Sequence, residues 1–246
     1  MTSNPTLNQN TFSDLSGARA TSETMTIQGA VNKTAILLFL AIVTASYTWG
    51  LCLNGSSAAA MPWMAGGAIL GLVFALITSF KKEWSAVTAP CYAICEGLFL
   101  GGISAMLNLK FPGLALQAIL LTFGTLAALL FVYKIGLIRA TDSFKRGVFA
   151  ATGGLALLYL TSMILGFFKI QIPGIFGNGL VGIGFSLFVV VIAAMNLVLD
   201  FDMIEKGAEY NAPKYMEWYS AFGLMVTLVW LYIEILRLLS KLRSRD

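Results

Sequence analysis

Seven apolar runs, each about as long as a membrane-spanning helix, constrain the fold of this chain more than any other feature. A helix needs roughly 20 predominantly apolar residues to cross the hydrocarbon core of a bilayer. The predicted spans cover residues 34–54, 62–80, 84–109, 114–133, 147–168, 180–201 and 218–240. Because backbone polar groups in lipid must be satisfied within the span, the sequence predicts an all-α integral membrane protein with seven transmembrane helices.

The composition excludes a soluble domain. Charged residues make up 11% of the 246 residues and hydrophobic residues 58%, whereas a soluble domain carries about 25% charged residues. The net charge of +4 does not indicate a nucleic-acid partner, because the basic residues lie in the loops and ends between apolar runs. The predicted partner is the lipid bilayer, in which we expect a monomer.

Polarity divides the chain into two regions. Residues 1–30 are polar and predict a flexible cytosolic N-terminal arm, and residues 31–246 are predicted to form the transmembrane domain. The arm lacks the basic start and the immediate apolar core of a secretory signal peptide. This absence, together with the short loops, favours a bacterial inner membrane.

The distribution of Lys and Arg predicts the orientation. The loops after spans two, four and six contain Lys81, Lys82, Lys134, Arg139, Lys145, Arg146, Lys206 and Lys214. The loops after spans one, three and five contain only Lys110 and Lys169. The positive-inside rule therefore places the N-terminus in the cytoplasm. The C-terminal end then lies outside although it is strongly basic, and we favour a full crossing by the seventh span.

The sixth span runs directly into two acids, Asp200 and Asp202. A charge at the centre of a bilayer costs about 2.5–3.5 kcal/mol, so acids at the margins of a span are candidate functional groups. Side chains two residues apart on a helix project about 200° apart, so we expect only one of them to face the bundle. Lys206 is four residues after Asp202 and is a candidate ion-pair partner on the same face.

Two other spans also carry charge. Glu96 lies in the third span beside a face formed by Gly97 and Gly101, where another helix can approach closely. The sequence supports two interpretations of Glu96 equally, a neutral acid hydrogen-bonded across helices and a part of a proton or cation path. Glu234 and Arg237 are three residues apart in the seventh span and are predicted to form an anchoring pair.

The sequence contains no His, so a response to pH near neutrality is expected from carboxyl groups. Burial and a second acid nearby both raise the pKa of a carboxyl group. Carboxylate oxygens also suit hard cations such as calcium. Because a proton, a cation and a Lys compete for one carboxylate, this region is a candidate pH-sensitive cation gate.

We expect no enzymatic activity and no cofactor. The intramembrane acids have no recognised protease spacing. Cys91 and Cys95 are four residues apart, which is not a C-x-x-C redox motif. We interpret them, and Cys52, as small core residues.

Four stretches of sequence carry a family resemblance: Ser3–Asn8, Glu96–Gly101, Asn196–Ile204 and Tyr215–Tyr219. They resemble the Bax-inhibitor family of membrane proteins, also known as the YccA or transmembrane Bax-inhibitor-motif family, and in particular its bacterial branch. The resemblance covers nearly the whole chain. It implies a fold in which the last helix is central and wrapped by the other six, and it implies a pH-sensitive calcium leak.

The resemblance also implies roles for individual residues. The family's aromatic-Asp motif matches Phe201-Asp202, so Asp202 takes the role of the pH-sensing Asp of the sixth helix and is a candidate contact for calcium. In the family this Asp pairs with an Asp of the seventh helix, whose position falls near Thr227 here. The candidate replacements for that missing acid are Asp200, Glu217 and Glu96. The candidates for the family's basic residue in the second helix are Lys81 and Lys82.

We therefore predict a pH-sensitive cation leak channel of the inner membrane, gated by carboxylate protonation, with calcium as the transported ion. The alternative is a non-conducting membrane protein that binds and modulates other membrane proteins, such as a protease. A small-solute transporter is a third hypothesis, and nothing in the sequence names its solute.

Overall fold

The computed structural model describes residues 24–54, 57–168 and 174–245, and each predicted span corresponds to one helix. The helices in these residues are α1 (Ile27–Leu53), α2 (Ser57–Phe80), α3 (Ser85–Lys110), α4 (Leu114–Lys134), α5 (Asp142–Phe167), α6 (Leu180–Glu209) and α7 (Met216–Arg243), with a 3-10 turn at Lys82–Trp84. All seven are long and apolar enough to cross a membrane. The prediction of an all-α protein with seven transmembrane helices is confirmed.

Several helices extend beyond the predicted spans, because polarity marks the margin of an apolar run and not the end of a helix. α1 begins at Ile27, within residues predicted to be a flexible arm, and the Thr26 side chain caps it by accepting a hydrogen bond from the Gly29 N–H at 2.9 Å. Such a cap satisfies a backbone N–H that the first turn leaves unpaired. α6 continues past both of its aspartates to Glu209.

The segment before α1 is joined to the loop that precedes α7. Thr24 and Pro213 form an isolated antiparallel bridge, and the Met25 N–H donates to the Ala212 carbonyl at 2.7 Å. The Met25 side chain is only 2% exposed. The flexible arm predicted for residues 1–30 is therefore folded from Thr24 onward, and the rest of it lies outside the described residues.

α7 is the central helix of the bundle. It packs against α1, α3, α4 and α6, and Tyr159 of α5 reaches two of its charged side chains. In the most apolar stretch of α7, 56% of the residues are buried, against 11% for α5 and 17% for α2. The central position of the last helix is thus as predicted, although α2 packs on α1 and α3 rather than directly on α7.

The loops after α2, α4 and α6 lie together at one end of the bundle. The loops at residues 81–84, 135–141 and 210–215 follow α2, α4 and α6, and we call the end that they occupy the basic end. Contacts between the helix termini hold this end together. The Ser85 hydroxyl donates to the Tyr215 carbonyl at 3.0 Å. The Tyr133 hydroxyl donates to the Glu205 carboxylate.

Two glycines of α3 allow α1 to approach closely. A Cβ added to Gly97 would collide with the Ala41 carbonyl, and one added to Gly101 would collide with the Ala45 carbonyl. Small residues at such positions permit backbones to pack together in a membrane. The face identified in the sequence at these two glycines is therefore the contact surface for α1.

We expect Gly97→Ala to destabilise the protein, because the added methyl group forces α1 and α3 apart. Overpacking of this kind costs about 1–3 kcal/mol. Gly124→Ala in α4 is the matched control, since a Cβ there meets nothing within 4 Å and the gain in helix propensity is the same. Thermal unfolding in detergent checks the prediction, and equal midpoints for the two variants would contradict it.

Candidate carboxylate site

The two aspartates at the end of the predicted sixth span face different neighbours. α6 is helical through both residues, so their side chains point to different sides. Asp200 faces α7, where the Thr227 hydroxyl lies beside its carboxylate and a Cβ added to Gly223 would be 3.8 Å from its Oδ1. Asp202 faces α5, where it meets Lys145.

Asp202 is held by two lysines. Lys145 Nζ of α5 lies 2.5 Å from Asp202 Oδ2, and Lys206 Nζ lies 3.1 Å from Oδ1. The Asp202 side chain is 15% exposed, so the pair with Lys145 is partly withdrawn from solvent and joins two helices. Lys206 is thus placed where the i, i+4 spacing suggested. Lys145 is 57 residues away in the sequence, and only its place among the basic residues between spans four and five could have pointed to it.

Asp200 has no comparable compensation. The residue is half-buried, and its Oδ2 atom is buried with no hydrogen-bond partner among the described residues. The described residues also form no ion pair with it. A buried polar atom without a partner costs about 1–3 kcal/mol, and more when it is charged. Such an atom in a folded protein requires an explanation, and a functional role is one of the accepted ones.

Glu217, at the start of α7, is a buried carboxylate that faces two lysines. It has 0% exposure. Its Oε1 accepts hydrogen bonds from the Thr26 N–H at 3.0 Å and the Thr26 hydroxyl at 2.9 Å. Lys33 Nζ lies 2.8 Å from Oε2 and Lys214 Nζ 3.3 Å from Oε1. A Cβ added to Gly29 would occupy the position of this carboxylate, so the absence of a side chain there is required.

These contacts give Glu217 a structural role, and they do not bring it to the aspartates of α6. It attaches the start of α1 to the start of α7. The partners of Glu217 lie in α1, in the segment before it and in the 210–215 loop. Lys214 is three residues before Glu217, whereas Thr26 and Lys33 could not be identified from the spacing of residues in the sequence.

Glu96 lies at the contact between α2 and α3. Its Oε2 atom is 3.0 Å from the position that a Cβ on Gly71 would take, and the side chain is half-buried. Among the described residues Glu96 forms no ion pair or hydrogen bond. The structure therefore places the Glu96 side chain against α2 and does not bring it to Asp200 or Asp202.

The two candidate basic residues after α2 do not reach the aspartates. Lys81 and Lys82 are both exposed. Lys82 Nζ lies 5.2 Å from the ring centroid of Tyr219, which is a cation–π distance. Among the described residues, Asp202 is contacted by a lysine of α5, Lys145, and not by a lysine that follows α2.

The second half of α7 carries a separate group of buried charges. Arg237 Nη1 lies 2.9 Å from Glu234 Oε1, so these two residues pair as their spacing predicts. The Tyr159 hydroxyl donates to Glu234 at 3.0 Å. Lys241 is 6% exposed, and its Nζ donates to the Gly182 carbonyl at 2.9 Å and to a serine hydroxyl of α6. Nothing in the sequence pattern indicated that this lysine is buried.

The site does not have the form of a resident metal centre. Within the described ranges, no group of three or more His, Cys, Asp or Glu residues could hold a metal ion. Both oxygens of Asp202, the candidate calcium contact, face lysine ammonium groups. A cation would therefore have to displace these lysines to reach Asp202 in this conformation.

Taken together, the fold and the site define a helical membrane protein with a central, charge-bearing last helix and an uncompensated acid between α6 and α7. The family model described as Bax inhibitor 1 like matches residues 4–244, and the chain belongs to this family. No match to the chain was found among curated proteins or among solved structures.

We expect Glu217→Gln to destabilise the protein strongly. The substitution removes the charged acceptor of the Thr26 hydrogen bonds and the counter-charge of Lys33, and losing a hydrogen bond to a charged group costs about 1.5–3 kcal/mol. Glu83→Gln is the control, because Glu83 is exposed. Unfolding midpoints in detergent measure the difference. A Glu217→Gln variant as stable as Glu83→Gln would show that Glu217 does not attach α1 to α7.

Proposed function

We propose that this protein is a pH-sensitive leak channel for cations, with calcium as the transported ion, and not an enzyme. We place it in a bacterial inner membrane with its basic end and N-terminus in the cytoplasm, as the positive-inside rule favours. The observation that carries the proposal is the buried, unpartnered Oδ2 of Asp200 between α6 and α7. A carboxylate without a lysine partner is free to take either a proton or a cation.

The packing around Asp200 supports a proposal for the direction of the pH response. Thr227 and Gly223 of α7 face this acid, and neither carries a charge. Because an ionised carboxylate is costly where no counter-charge is present, the packed arrangement of α6 and α7 favours protonated Asp200. Ionisation favours an arrangement in which water or a cation reaches the carboxylate. The leak should therefore increase as the pH rises.

The Asp202–Lys145 pair is proposed to restrain the same opening. It joins α6 to α5, the helix with the smallest buried share. While the pair is intact, the lysines shield Asp202 from cations and hold α5 against α6. Loss of the pair frees α5 and should favour the open arrangement at every pH.

The proposed role of Asp200 predicts that Asp200→Asn abolishes the pH dependence of the leak. Wild-type protein in liposomes loaded with a calcium-sensitive dye should pass calcium several-fold faster at about pH 8 than at about pH 6, following ionisation of the acid. The Asp200→Asn variant should pass calcium at the low rate of about pH 6 at every pH, because its amide remains neutral. Asp142→Asn, at an exposed position, should retain the wild-type profile. An Asp200→Asn variant with the wild-type profile would refute the role of Asp200.

The proposed restraint predicts that Asp202→Asn and Lys145→Met each raise the leak at about pH 6. Because both remove the same ion pair, the double variant should leak no more than either single variant, as expected for two residues in contact. Lys134→Met is the control for lost positive charge near the basic end. Additive effects of the two substitutions, or none, would contradict a restraint by this pair.

The same assay separates the alternative functions. If purified wild-type protein passes no cation at any pH, the channel is refuted and the hypothesis of a non-conducting protein that modulates other membrane proteins takes its place. Saturable uptake of one solute without calcium flux would indicate a transporter.

A further inference from the structure

A cavity of about 320 Å³ lies beside the Asp202 pair, at the basic end of the bundle. Its lining is Lys145, Arg146, Phe149, Leu199 and Asp202. It exists because α5 packs on α6 and on little else, so the start of α5 leaves space along α6. The cavity could accept a group far larger than a water molecule, which occupies about 30 Å³ in the liquid.

The charges at this cavity are predominantly positive. Lys145, Arg146 and Lys206 are three cations, and Asp202 is the single acid among these residues, which leaves a net charge of +2. Arg146 is exposed. Its Nε–H donates to the Asp142 carbonyl at 3.3 Å, and its terminal N–H groups donate to no other described residue, so they are available. A guanidinium group with free terminal N–H groups binds phosphate oxygens in a two-pronged geometry.

The deeper wall of the cavity is apolar. Phe149 is three residues after Arg146 and four after Lys145, so it lies one turn further into the span on the same side of α5. Its side chain is 78% exposed. Leu199 of α6 completes this wall. The cavity thus offers cations at the level of the membrane surface and apolar side chains immediately below them.

We propose that this cavity binds an anionic phospholipid. The phosphate lies against Arg146 and Lys145, and the start of an acyl chain lies against Phe149 and Leu199. Basic pockets between transmembrane helices at the cytoplasmic side are suited to anionic headgroups. The combination of cations with an adjoining apolar wall selects a lipid over a free anion, since a free anion gains nothing from Phe149. This inference does not depend on ion conduction.

Competition for the cavity by defined lipids tests the proposal. Purified full-length protein is titrated with short-chain phosphatidylglycerol, phosphatidylcholine or water-soluble glycerol phosphate in detergent, and bound lipid is counted by native mass spectrometry. We expect phosphatidylglycerol to bind more tightly than phosphatidylcholine and glycerol phosphate not to compete. Equal binding of the two lipids would overturn the proposal. Competition by glycerol phosphate at similar concentrations would replace it with a site for a free anion.

Variants identify the cavity as the place of binding. Arg146→Gln should weaken phosphatidylglycerol binding about fivefold, the factor expected for one cation near the surface, and Arg146→Lys should restore part of it. Phe149→Ser should weaken the binding of both phosphatidylglycerol and phosphatidylcholine. Arg139→Gln removes a cation from the preceding loop but not from the cavity, so it should bind as wild type does. If Arg146→Gln and Arg139→Gln weaken phosphatidylglycerol binding by the same factor, the binding reflects the overall positive charge and the cavity is not the site.

Discussion

The need to compensate charge along a buried helix is the constraint on which this structure depends. α7 is the most buried helix, yet it carries Glu217 near its start and Glu234 and Lys241 toward its end. Each has partners from another helix: Lys33 of α1 for the first, Tyr159 of α5 for the second, and a carbonyl of α6 for the third. Because an unpaired charge in this environment is costly, these contacts help determine which helices surround α7 and in what register.

Against this background, Asp200 and Glu96 lack such compensation, and Asp200 is the one that lies between α6 and α7. Its neighbour Asp202 has two ammonium groups, whereas Asp200 has a threonine hydroxyl beside it and one oxygen atom with no partner in the described part of the chain. The two acids differ only by the 200° between their directions on one helix. One helix end thus presents a carboxylate paired with lysines to α5 and an unpaired one to α7, which suits the proposed separation of a restraint from a sensor.

The sequence was sufficient for the features that arise from local pattern. Apolar runs predicted the seven helices, and spacing predicted the pairs Asp202–Lys206 and Glu234–Arg237.

The sequence was insufficient where the partner of a charged residue is distant in the chain. The contact of Lys145 with Asp202 and the attachment of Glu217 to the start of α1 depend on how helices are arranged around α7, and helix spacing contains no information on this. For the same reason, the similarity to an aromatic-Asp motif directed attention to Asp202, whereas packing against Thr227 directs it to Asp200.

The attachment of α1 to α7 has a consequence for biogenesis. Lys33 and Thr26 are synthesised early, but the carboxylate that they bind arrives only after six helices have been made. During insertion, α1 to α6 must therefore remain open enough to admit a helix that becomes the centre of the bundle. Completion of the fold then coincides with pairing of Lys33 with Glu217, so a chain that still lacks α7 leaves this ammonium group without its counter-charge.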